Sequence, residues 1–112
     1  MITDDLRRFV LDALPSVSHL EAALLFHARP ERALDEAEVG SALYLEPATA
    51  GAVLADLHHS GVLRAMPVHG GPPRFGYAPR DAATARNVDE LAAAYTTRLV
   101  ELTTLIHDAN EP

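Results

Sequence analysis

A chain of 112 residues, 48% hydrophobic but only 5% aromatic, can build one compact core from Leu, Val and Ala. Nine arginines and no lysine against sixteen acids give a formal charge of −7, so lysine chemistry is excluded and unselective attraction to polyanions is disfavoured. With no cysteine there is no disulfide, thiol nucleophile or zinc–thiolate site, a composition that suits a reducing cytoplasm.

The first ten residues, MITDDLRRFV, are charged and lack the basic-then-apolar build of a signal peptide. Nor is there an apolar run long enough to cross a bilayer, so a cytoplasmic protein with no membrane partner is expected. Residues 3–14 read as a helix with Leu6, Phe9, Val10 and Ala13 on one face and Asp4 and Asp5 near its positive end. Pro15 interrupts it. Ser18 and Glu21 have the spacing of a capping box, and the helix over 18–29 is apolar on most sides, which makes it the central one.

The chain is organised around residues 34–61, LDEAEVGSALYLEPATAGAVLADLHHSG. Asp35 and Glu38 form a capping box that opens a helix over 35–44. Pro47 suits the first position of a second helix over 47–60, in which Ala50, Val53, Leu54 and Leu57 share a buried stripe. Gly61 supplies a left-handed stop. Residues 62–68 and 74–78 then read as paired strands around His69-Gly70-Gly71-Pro72-Pro73, with the prolines confined to an edge or loop.

A last helix over 81–109 has no Pro or Gly. Val88, Ala92, Tyr95, Leu99, Leu102 and Ile106 recur at the spacing of a coiled-coil seam. Two readings stand here: the seam joins two chains, or the helix folds back over the first one and buries the seam internally.

This layout resembles the winged helix-turn-helix domains of bacterial transcription regulators of the antibiotic-resistance and arsenic-repressor types, over roughly residues 20–79. The resemblance implies a small β-hairpin wing to whose sheet Ala33 and Leu34 add a short strand. With the flanking helices read from the residues, a mainly α fold with an extra N-terminal helix and a long C-terminal helix is expected, all in one domain spanning 1–112. The resemblance also implies that the helix over 47–60 reads DNA, that the hairpin is the wing, and that terminal helices pair two chains.

Enzymatic motifs are absent: there is no phosphate loop, His-Glu-x-x-His, Gly-x-Ser-x-Gly or calcium loop, and no cofactor is expected. Adjacent His58 and His59 point about 100° apart on a helix and cannot readily share one ion, so no metal site is assigned. His27 reads as a partly buried, satisfied side chain, and His19 and His107 as surface residues.

Charge divides the readings. Residues 35–60 carry Asp35, Glu36, Glu38, Glu46 and Asp56 with no arginine, which opposes phosphate. Arg64, Arg74, Arg80 and Arg86 against Asp81 instead leave residues 62–86 at plus three, a candidate positive strip beside the wing. The candidate DNA or partner contacts are therefore Ala48, Thr49, Ala52, His59, Arg64, His69 and Arg74. A dimeric DNA-binding regulator is expected first. The alternative is a protein–protein adaptor that has kept the shape and lost the charges, offering a smooth Ala/Gly face to a protein partner.

Overall fold

The computed structural model describes residues 2–97 and 99–110, with backbone alone at 96 and 97. The described elements are α1 Asp4–Ala13, α2 Val17–Ala28, β1 Ala33–Leu34, α3 Glu36–Leu43, α4 Pro47–His59, β2 Leu63–Met66, β3 Arg74–Tyr77, α5 Ala82–Thr97 and α6 Leu99–Asn110. The molecule is thus mainly helical with a small three-stranded antiparallel sheet of order β1-β3-β2, as expected of a winged-helix architecture. No single helix among the described residues is long and apolar enough to cross a membrane.

α2 is the hub. Leu20, Ala22, Ala23 and Phe26 lose essentially all contact with water, and the helix packs on α3, α4, α5 and β3. Its N-cap is Ser16 rather than the expected Ser18, because the Ser16 hydroxyl accepts the His19 amide. His19, in the first turn of α2, is only 7% exposed and lies against Ser16 and Asp56, which corrects its placement at the surface.

In the sheet, Leu63, Ala65, Phe75, Tyr77 and Leu34 share one face by register, and all but the exposed Ala65 pack into or against the core. Arg64, Met66, Arg74, Gly76 and Ala33 form the other. A Cβ at Gly76 would lie 2.9 Å from the Met66 methyl, so the glycine gives that side chain its seat. At the hairpin tip Gly70 has a positive φ of 76°, and Gly71 is not needed in that role.

The expected single helix over 81–109 is instead two helices on either side of residue 98, which lies outside the described residues. Thr3 Oγ1 donates to Glu90 of α5, and the Asn110 amide donates to the Pro15 carbonyl. One straight helix would separate residues 90 and 110 by about 30 Å, whereas α1 and its flanks from 3 to 15 cover only about 18 Å. Furthermore, Phe9 and Ala13 line a cleft with Ala83 and Thr84, while Ile2 lines another with Glu101 and Leu105. α5 therefore runs antiparallel to α1, and α6 returns alongside it.

The physical reason is burial. Val88 and Leu91 from α5 and Leu102 and Ile106 from α6 join Leu6 and Val10 in one core. A continuous helix would have carried Leu102 and Ile106 beyond the body. Of the seam expected between chains, Val88, Leu102 and Ile106 are consequently occupied within the chain, Ala92 and Tyr95 are half-buried, and Leu99 is exposed.

Candidate nucleic-acid interface

The helix-turn-helix begins with the expected capping box: the Glu38 amide donates to Asp35 Oδ1 at 2.9 Å and the Asp35 amide to Glu38 Oε1 at 3.0 Å. α3 ends at Leu43, where Tyr44 turns the chain with φ 58° and ψ 43°. The Leu45 amide then reaches back to the Gly40 carbonyl at 2.8 Å. Gly40 is required here, since a Cβ would stand 2.7 Å from the Leu45 carbonyl oxygen. Pro47 occupies the first turn of α4 as expected, and Glu46 makes no side-chain cap. Ala50, Val53, Leu54 and Leu57 are all buried, which fixes the rotation of α4 about its axis.

Ala48, Thr49, Ala52 and Ala55 consequently face solvent along one side of α4. Gly51 does not belong to that open face, because the Glu36 carboxylate lies where its Cβ would be, at 2.5 Å. His59 is exposed at the far end, about 10 Å along the axis from Ala52. It borders a cleft of about 510 Å³ with Arg8, Arg80 and Arg86, balanced by Asp5, Asp12 and Asp81. His69 is exposed at the hairpin tip.

Of the five acids counted against DNA, Asp35, Glu38 and Asp56 have partners within the chain, but Arg74 offsets a single charge and the unit stays net negative. Arg74 reaches from β3 to α3, with Nη2 2.6 Å from Glu38 Oε1 and 2.7 Å from the Ala33 carbonyl, and Nη1 3.7 Å from Asp35 Oδ2. Arg74 is thus a brace between wing and helix-turn-helix rather than a free cation. Asp56 accepts from His19 Nε2 at 2.8 Å, and Ser16 Oγ lies 2.6 Å from His19 Nδ1. Because Ser16 already accepts the His19 amide, its hydroxyl proton is available for Nδ1, which satisfies a neutral imidazole carrying its proton on Nε2. This Ser–His–Asp string joins α2 to α4 and was not legible from the residues alone.

Nor does the expected strip of four arginines form. Arg80 lies 3.7 Å from Asp81, and with Arg86 it borders the cleft containing His59. Asp81 caps α5 by accepting the Thr84 amide at 2.7 Å. The backbone and side-chain hydrogen bonds from Thr84, followed by the nearby Arg80, hold the Asp81 carboxyl below its ordinary value. Arg64 stays exposed on the outer face of the sheet, with no carboxylate partner among the described residues.

On the opposite flank, His27 Nε2 lies 2.8 Å from Asp89 and packs edge-on against Tyr77, as a satisfied histidine should. Burial first, and Asp89 second, push the Tyr77 phenol up. An apolar groove of about 360 Å³ opens nearby, lined by Leu24, Leu25, Leu43, Ala92 and Tyr95.

No protein-family model and no curated protein matches the chain. Among solved structures it is similar to a protein of Methanosarcina mazei Go1 described as a possible transcriptional regulator, at 17% identity and a TM-score of 0.50, covering 88% of this chain and 82% of that one. At that identity the likeness is one of fold alone: mostly helical, with a small antiparallel sheet.

Proposed function

We propose that the chain is a cytoplasmic, non-enzymatic transcription regulator of the winged-helix type that binds duplex DNA as a homodimer, with α4 entering the major groove and the hairpin beside it. The observation that carries this reading is the burial of Ala50, Val53, Leu54 and Leu57, which fixes the rotation of α4. It leaves Ala48, Thr49 and Ala52 on a face small enough for close approach to a groove floor. Thr49 supplies a hydroxyl for a base edge or phosphate, and Arg64 a cation for the backbone. The fold likeness to a possible transcriptional regulator supports the same reading.

Fluorescence anisotropy with a generic duplex tests it. Binding at low salt should weaken steeply as salt rises, and Arg64→Ala should reduce the salt slope by about one. No binding at low salt would overturn it in favour of the adaptor reading, which the smooth Ala48, Ala52 and Ala55 surface supports. For self-association, Leu99 and Val100 are 42% and 79% exposed where α6 begins, close in sequence to the Ala92–Tyr95 wall of the apolar groove. Leu99→Glu should therefore yield folded monomers by sedimentation. A folded variant that sediments like the wild type would remove that contact from the proposal.

A further inference from the structure

Tyr44 combines two features that are unfavourable for the isolated chain. Its backbone lies in the left-handed region, where a Cβ crowds the following carbonyl and where helix ends normally place Gly or Asn. Its side chain is 95% exposed. Among the described residues the ring stacks on nothing and the hydroxyl bonds to nothing, so no internal contact offsets the strain. Glycine at this position would make the same turn, including the Tyr44 amide bond to the Gly40 carbonyl, without that cost. Strain held without an internal return points to a contact outside the chain.

The location says which contact. Tyr44 closes the turn immediately before α4, at the same end as Ala48 and Thr49. A groove-bound α4 would bring the phenol to the groove's edge, against the sugar–phosphate backbone rather than the bases. A tyrosine hydroxyl is an ordinary donor to phosphate oxygen, and it adds register without adding charge. We infer that Tyr44 is a positioning residue for duplex DNA, its hydroxyl donating to a backbone phosphate beside the α4 N-terminus. This inference rests on the DNA reading above.

The test compares Tyr44→Gly, Tyr44→Phe and Arg64→Ala with the wild type, measuring Tm and the affinity for a labelled generic duplex across a salt series. Tyr44→Gly should keep or raise Tm by a few degrees. Its affinity should nevertheless fall by about 10-fold or more. Tyr44→Phe should lose roughly 3- to 10-fold, the range of one neutral hydrogen bond. Its salt slope should match the wild type, because a neutral hydroxyl releases no counterion, in contrast to Arg64→Ala.

Tyr44 variants that bind within twofold of the wild type would overturn the inference and leave the DNA reading standing. Affinity lost only in step with a fall in Tm would overturn it too, by making the residue structural. Undiminished DNA binding with a lost dimer would overturn it in favour of a protein contact. A wild type that binds no duplex at low salt would overturn both.

Discussion

The α3–α4 pair and the α5–α6 pair each reverse or redirect the chain within a few residues, but different forces hold the two bends. Between α3 and α4, local chemistry sets the geometry: a capping box, a left-handed residue, a glycine that admits the Leu45 carbonyl and a proline at the first helical turn. Between α5 and α6, what lies beneath sets it, since Leu102 and Ile106 reach water-free sites beside Leu6 and Val10 only if α6 folds back. One bend should survive changes in the core better than the other.

The largest effects come from truncating the shared core beneath each bend. Leu54→Ala under α4 and Leu102→Ala under α6 remove side chains that are fully buried, and each should lower unfolding free energy by about 2–5 kcal/mol in urea titrations. A Leu102→Ala cost below about 1 kcal/mol would mean that α6 is held by something other than burial, and the contrast would break. Next is Gly40→Ala. Helix propensity alone predicts a gain of roughly 0.5–1 kcal/mol, whereas the 2.7 Å approach of a backbone oxygen predicts a loss of about 1–3 kcal/mol, so the sign of the measured change decides.

His19→Ala removes a nearly buried tie between α2 and α4 and should cost about 1–2 kcal/mol, with α4 amides exchanging faster as the local readout. The smallest effect belongs to the α5 cap. The folded Asp81 carboxyl sits below its ordinary value of 3.8, so its contribution is present above that pH and is lost as pH falls through the lowered folded value. The Tm difference between wild type and Asp81→Ala should therefore close only under acid conditions. A gap unchanged by acid would show that the carboxylate is not the active cap.

The same contrast explains what could be read ahead of the coordinates. Asp35, Glu38, Pro47 and Gly61 carry positional chemistry within a few residues of where it acts, and the helix-turn-helix with its small sheet was legible from them. The reversal near residue 98 was not: residues 96–98 read Thr-Thr-Arg, which contains no breaker, and the apolar spacing continues through the bend. Long-range partners were equally hidden. Nothing near His19 names Asp56 thirty-seven residues on, and nothing near Arg74 names Glu38. The four-arginine strip failed for that reason, since a charge count along the chain does not say which cations are already engaged. Tyr44 did leave a trace, as a bulky residue at a helix end where Gly or Asn is the usual choice.

The hairpin's prolines have a consequence beyond its shape. In the order β1-β3-β2, the sheet has two unpaired margins, two and four residues long, and Pro67 follows immediately after the longer one. A ribbon so short, closed by a residue without an amide proton, offers a neighbouring chain almost nothing to extend. Such a protein can accumulate at high concentration with little risk of polymerising strand upon strand.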